Sequence, residues 1–189
     1  MCGIIGYIGN RTAAPILMSG LKRLEYRGYD SAGIALVSGG AVRVHKATGK
    51  LTQLEAVLPK RLGGKLGIGH TRWATHGAPS DANAHPHLSP DGTIAVVHNG
   101  IVENAPALRA RLLAEGAEFA SETDTEIIVH LIARTNGQPL EQRVRDALAH
   151  VRGTYGIAVV DSSLPDRIVI ARKGSPVIIG IGDREMFVA

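Results

Sequence analysis

The sequence predicts an α+β protein in which two mostly antiparallel sheets pack together with helices outside. Two observations carry this. Segments of strand character and of helix character come in groups, not in strict alternation, which argues against a doubly wound parallel sheet. The strand candidates are also continuously apolar, as sheets covered on both faces require. Length and composition agree: 189 residues, 44% hydrophobic and 20% charged, fit one globular domain with a real core. Aromatic residues make up only 4% of the chain, so the core must be built from Ile, Val, Leu and Ala. No internal repeat, low-complexity tract or linker-like shift of composition divides it.

Taken in order, Gly3 to Ile8 (GIIGYI) is a short apolar run bounded by Gly and predicts a buried strand. Thr12 can cap a helix with Pro15 in its first turn. In that helix Ile16, Leu17, Gly20, Leu21 and Leu24 recur at helical spacing, and it should stop near Gly28. Ala32 to Val37 and Ala41 to Lys46 predict a hairpin around Gly39-Gly40. Leu51, Leu54, Val57 and Leu58 predict a short helix ending at Pro59, followed by a strand over Leu66 to His70.

The segment from Thr71 to Gly92 is polar and punctuated by Gly and Pro, with little periodicity. A structureless stretch of that length inside a compact domain is more often functional than idle. A strand over Thr93 to His98 then ends in Asn99-Gly100. Helices are expected at about Asn104–Glu115, Asp124–Thr135 and Leu140–His150. Strands are expected at Tyr155–Asp161, Arg167–Arg172 and Val177–Ile181, with a last one beginning at Met186.

Several function classes are disfavoured by composition. The net charge is +4, but the basic residues are scattered in pairs such as Lys22-Arg23, without a clustered patch or aromatic interleaving, so no nucleic-acid partner is expected. No stretch approaches the roughly 18 apolar residues of a membrane span, and no signal peptide is recognisable at the start. A single cysteine makes no internal disulfide and suits a reducing, cytoplasmic setting. Phosphate-loop patterns fail: Gly49-Lys50 lacks the upstream glycine, and Gly67-Ile68-Gly69 lacks the third glycine and the following helix.

That single cysteine is Cys2. Taken alone, a cysteine near a chain end is a small hydrophobe or part of a frayed terminus. If Met1 is removed, however, Cys2 carries both a thiol and a free α-amine. An α-amine of pKa roughly 7.7–8.0 beside a thiol of about 8.5 is a matched base and nucleophile on one carbon.

Four other motifs can supply chemistry. Arg72, in His70-Thr71-Arg72-Trp73-Ala74-Thr75-His76-Gly77, can grip a carboxylate bidentately, although an isolated arginine is more often a solvated surface group. His76, His85 and His87 fit no common metal-ligand spacing, so no metal is expected, and they should hold the loop's shape by bonding backbone groups. His98-Asn99-Gly100 is ordinarily a turn, but an Asn amide with a nearby Gly N–H can form an oxyanion hole. Ser121-Glu122-Thr123-Asp124-Thr125-Glu126 opens a helix. A plain N-cap accounts for it, with Asp124 left free for an ammonium group as the functional alternative.

Six segments in order carry a family resemblance: MCGIIGYIG at the start, RLEYRGYDSAGIA at 23–35, GHTRWATHG at 69–77, NAHPH at 83–87, VVHNGIVEN at 96–104 and SETDTE at 121–126. Together they resemble the N-terminal glutaminase (class II glutamine amidotransferase) domain of the glucosamine-6-phosphate synthase family, the isomerizing glutamine–fructose-6-phosphate aminotransferases. The likeness covers essentially the whole chain, with no departure at the motif positions. CGI and HNG are shared with other N-terminal-cysteine amidotransferases. The pairing of EYRGYDSAG with HTRWATHG is more specific to the aminosugar enzymes.

The resemblance implies the N-terminal nucleophile hydrolase fold, a four-layer α/β/β/α sandwich, over residues 2–189. It implies a truncated domain that full-length relatives continue into sugar-isomerase domains, as homodimers with the fructose-6-phosphate site in those domains. It also implies hydrolysis of L-glutamine to glutamate and ammonia without a cofactor. Cys2 would be nucleophile and base, Asn99 and Gly100 the oxyanion hole, and Arg72 and Asp124 the partners of the α-carboxylate and α-ammonium. Trp73, Thr75 and His76 would close over the ligand, with Arg27, His85 and His98 in support. The alternatives are a glutaminase domain serving another amidotransferase and a non-catalytic amino-acid-binding module.

Overall fold

The computed structural model describes residues 2–73, 77–135 and 137–189. Strands β1 (Gly3–Ile8), β2 (Ser31–Ser38), β3 (Ala41–Thr48), β4 (Leu66–Arg72), β9 (Ile179–Gly182) and β10 (Glu185–Val188) form one sheet, in the order β3-β2-β4-β1-β10-β9. Strands β5 (His87–Leu88), β6 (Ile94–Val102), β7 (Gly153–Asp161) and β8 (Val169–Lys173) form a second sheet in chain order. Every strand pair in both sheets is antiparallel.

Strand alternation explains the layering, because successive side chains point to opposite faces. Ile4, Ala35, Val37 and Ile68 of the first sheet meet Ala95, Val97, Ala158 and Val160 of the second in a shared layer. Their neighbours Ile5, Ile34 and Leu36 face the other way, onto helices α1 (Ala13–Leu24) and α2 (Leu51–Val57). On the second sheet Ile94, Val96, Ile157 and Val159 pack against α3 (Ala105–Ala114), α4 (Asp124–Ala133) and α5 (Leu140–Ala149). The result is the expected α/β/β/α sandwich.

Helix α1 buries Ala14, Leu17, Met18 and Leu21 at helical spacing, whereas α4 is buried at every position from Asp124 to Ile132. A helix that is covered on all sides belongs to the interior. Hairpin β2–β3 turns through Gly39 and Gly40 at φ of 60° and 73°, the primed geometry that matches strand twist and favours glycine. Helix α1 ends at Leu24, four residues before Gly28, and a 3-10 turn over Glu25–Arg27 completes the connection.

Several strands run further than expected, and two of these extensions bear on the site. Strand β4 continues through Thr71 and Arg72, paired with Gly3 on β1 and with Ala32 and Ser31 on β2. Strand β6 continues through Asn99 and Gly100 to Val102, paired with β7 down to Gly153. Polar side chains in these extensions resemble loop by composition, but their backbones have strand partners on offer. Both extensions end at the same edge of the sandwich, beside Cys2 and the first turn of α4.

Candidate active site

Cys2 immediately precedes β1, the strand between β4 and β10. Gly3 is in register with Thr71, so Cys2 lies at the end of β4, where its thiol meets Trp73. The Trp73 N–H donates to Cys2 Sγ at 3.3 Å, and the thiol lies 3.6 Å from the Trp73 carbonyl oxygen. Burial pushes the thiol above its ordinary pKa, although the Trp73 bond and the Arg72 charge oppose the shift. A thiol so placed is protonated at neutral pH and needs a base before it can attack.

Asn99 and Gly100 lie within β6, so they are strand residues and not the turn that Asn-Gly ordinarily makes. The Asn99 side chain crosses from the second sheet to the first: its Nδ2 donates to the Cys2 carbonyl at 3.3 Å. Gly100 sits opposite Tyr155 at φ of 141°, a conformation that side-chain-bearing residues rarely adopt. A Cβ there would collide with the Thr154 carbonyl oxygen.

Arg72 is the last residue of β4 and is buried at 4% exposure, which corrects the solvated reading. Its Nη2 donates to the Gly77 carbonyl at 3.1 Å. Asp124, the first residue of α4, is also buried, and its Oδ2 accepts the Val102 N–H at 2.8 Å. The aspartate is thus committed through one oxygen to the end of β6. Cys2, Arg72, Trp73, Gly100 and Asp124 line one polar cavity of about 30 Å³. Cys2, Trp73, Asn99 and Gly100 also line a second, larger cavity of about 410 Å³ with Arg27 and Ser175. Cys2, Trp73 and Gly100 therefore stand at the divide between the two. Arg27 belongs to the larger one.

Thr75 and His76 lie outside the described residues. His85 and His98 do converge on the site, through Thr125: its Oγ1 is 2.7 Å from His85 Nε2 and 2.9 Å from His98 Nδ1. The loop histidines were expected to bond backbone groups. Among the described ones, His85 and His87 are buried and bond hydroxyls instead, with His87 Nε2 2.9 Å from Thr123 Oγ1. The His85 ring stacks on His70 at 4.2 Å and meets His87 edge-on at 4.8 Å. Burial lowers the pKa values of all three, to about 3 for His70 and His87. Among the described residues no group of His, Cys, Asp and Glu has an arrangement that could hold a metal ion.

The plain N-cap also gives way. Thr123 makes no side-chain cap bond to α4. Glu126 reaches back instead, accepting the N–H groups of Ala120 and Ser121 at 2.7 Å each and the Ser121 hydroxyl at 2.6 Å. Burial opposes the Glu126 charge, but bonds from His130, Ser121 and Ala120 outweigh it and hold the pKa at about 2. Sequence reasoning missed His70, Thr125 and Glu126 as members of the site's surroundings. A helix-opening Thr or Glu looks like a cap, and no spacing rule links residue 125 to residues 85 and 98.

Two antiparallel sheets packed between helical layers, with Cys2 at the head of a central strand, define an α+β sandwich of the N-terminal nucleophile type. Residues 70–187 match the family described as glutamine amidotransferase domain. The chain belongs to that family. It is 56% identical to the isomerizing glutamine–fructose-6-phosphate aminotransferase of Chlorobaculum tepidum, covering 100% of this chain and 32% of that relative. The corresponding protein of Symbiobacterium thermophilum is 57% identical over 100% of this chain and 31% of its own length. The chain therefore spans about a third of the curated relatives it matches.

Among solved structures, glutamine phosphoribosylpyrophosphate amidotransferase from B. subtilis superposes over the whole chain and 41% of its own, at a TM-score of 0.87 and 28% identity. A class-II glutamine aminotransferase domain protein from Silicibacter pomeroyi shares the fold, at a TM-score of 0.64 and 17% identity.

Proposed function

We propose that this chain hydrolyses L-glutamine to glutamate and ammonia at Cys2, once Met1 is removed. The observation that carries the reading is the placement of Cys2 Sγ: it shares one polar cavity with a buried guanidinium and a buried carboxylate, and an Asn amide faces the Cys2 backbone. Free glutamine is a zwitterion, and Arg72 and Asp124 are its two counter-charges. Arg72 takes the α-carboxylate. The Asp124 carboxylate takes the α-ammonium while remaining tied to Val102.

The Cys2 α-amine takes the thiol proton as sulfur adds to the side-chain amide carbon. Asn99 Nδ2 and the Gly100 N–H stabilise the oxygen that becomes negative. The protonated amine then gives its proton to the departing nitrogen, releasing ammonia and leaving a γ-glutamyl thioester. Water, deprotonated by the same amine, cleaves the thioester and restores the thiol. The raised pKa of the buried thiol supports the need for that base. Trp73, at the mouth of the cavity, covers the bound ligand and excludes water.

In a full-length protein the ammonia would pass to a fructose-6-phosphate site in C-terminal isomerase domains of a homodimer and yield glucosamine-6-phosphate. The likeness to the two aminotransferases supports this over a partner from another amidotransferase. A free catalytic thiol suits a reducing compartment such as the cytoplasm.

The test is a mass measurement of the N-terminus combined with trapping of Cys2 by an electrophilic glutamine analogue. One label on a chain lacking Met1, blocked by excess glutamine, is expected. Glutamine binding with neither label nor ammonia release would favour an amino-acid-binding module instead.

A further inference from the structure

His70 lies on β4, paired with Ile4 and Gly33, and is 1% exposed. Its Nε2 is 3.1 Å from the His98 carbonyl oxygen and 3.0 Å from the Asn99 side chain. A carbonyl oxygen only accepts, so Nε2 must carry the ring proton. A protonated nitrogen cannot face an amide NH₂, so the Asn99 atom beside it must be Oδ1. The NH₂ group is thereby turned the other way, towards Cys2, where it donates to the backbone carbonyl at 3.3 Å.

Two further observations single out this histidine. Its Nδ1 is buried and has no hydrogen-bond partner among the described residues, an arrangement that costs stability. An apolar side chain of similar shape would avoid that cost. What histidine adds here is the Nε2–H. Burial also keeps the ring neutral at physiological pH, so one nitrogen carries the proton and the other stays bare. The ring is held in place by stacking on His85.

We propose that His70 is a positioning residue of the thiol site: its Nε2–H, shared between the His98 carbonyl and Asn99 Oδ1, sets which way the Asn99 amide faces and so presents Nδ2 to the oxygen of the reacting carbonyl. This rests on the glutaminase reading, in which Asn99 is an oxyanion donor. His70 acts across the two sheets, from β4 onto β6, and touches no substrate. Glutamine's charged end is held elsewhere, by Arg72 and Asp124. Loss of the pin should therefore lower kcat with little change in KM.

The test compares His70→Leu, His70→Gln, Asn99→Ala and the double variant His70→Leu/Asn99→Ala in protein with Cys2 at its N-terminus. Alkylation of Cys2 by iodoacetamide, which needs no oxyanion donor, serves as the control for an intact thiol. His70→Leu should lower kcat by about 10–100-fold, the range for removing a partner that orients a functional side chain. Its KM and alkylation rate should stay near wild type. A Gln Nε2 can reach the position of the His Nε2, so His70→Gln should recover most of the rate. The double variant should be no slower than Asn99→Ala, because His70 acts through that amide.

Full kcat in His70→Leu would overturn the proposal, as would losses that multiply in the double variant. If Asn99→Ala itself keeps full kcat, the oxyanion reading fails and the positioning role falls with it. Should His70→Leu not fold, His70→Asn replaces it, since Asn reaches only the Nδ1 position. A fast Gln variant with a slow Asn variant supports the pin, and equal rates contradict it.

Discussion

Asp124 Oδ2 accepts the Val102 N–H at 2.8 Å, so the carboxylate that opens α4 is also the clamp on the end of β6. The same strand carries Asn99 and Gly100. One residue thus ties the proposed ammonium site to the strand that supplies the oxyanion donors. Asp124→Asn keeps an acceptor for Val102 but removes the charge. It should fold normally and raise KM for glutamine by about 10-fold, the loss of one charge-assisted bond of roughly 1.5 kcal/mol. Unchanged KM in steady-state ammonia assays would remove Asp124 from the ammonium role.

Arg72→Ala should also act mainly through KM, by about 10-fold or more, because a charge-assisted bond to a carboxylate is worth roughly 1.5–3 kcal/mol. Glutamine amide analogues that lack the α-carboxylate should lose their disadvantage in this variant. If the variant still discriminates against them as wild type does, another group holds the carboxylate.

Gly100→Ala should be far more damaging than its size implies. The new Cβ would run into the Thr154 carbonyl at a φ of 141°, and such strain costs on the order of 1–3 kcal/mol before any clash is added. A lowered Tm together with lost ammonia release is expected. A variant with wild-type Tm and rate would mean that the β6 backbone is not held as described.

Acid should destabilise the fold early. His70, His85 and His87 have folded pKa values below the ordinary 6.5 because burial disfavours their charged forms. The unfolded chain therefore binds protons that the folded chain refuses as pH falls below about 6.5, and stability drops there by about 1.4 kcal/mol per pH unit for each such histidine. For His70 and His87 the loss continues towards pH 3, the folded value. Glu126, held at about 2 against an ordinary 4.5, adds its own loss below pH 4.5. Urea unfolding between pH 7.5 and 5 checks this. A flat free energy over that range would contradict neutral burial of the cluster.

The layers of the fold were legible because residues such as Ile4 and Ile5, or Ile34 and Ala35, are apolar on both sides of a strand. That pattern leaves few solutions besides two sheets between helices. The candidate site residues were named one at a time, through their chemistry and the family resemblance. Less legible was where the strands end. Arg72 and Asn99 are polar and read as loop, yet both lie in strands whose neighbours provide backbone partners. Least legible were the contacts among buried polar groups. His85 and Thr125 are 40 positions apart, and His70 and Asn99 are 29 apart. Only the packing of one sheet on the other brings His70 and Asn99 together.

The central claim is that Cys2, as the N-terminal residue, turns over glutamine. The most direct measurement is ammonia and glutamate release by protein whose N-terminal mass establishes loss of Met1, alongside Cys2→Ala and a form that retains Met1. The processed wild type should release both products in equal amounts. Cys2→Ala should release neither while still binding glutamine, and the Met1-retaining form should be inactive because its base is blocked. Turnover in the Cys2→Ala protein, or full activity with Met1 in place, would contradict the account.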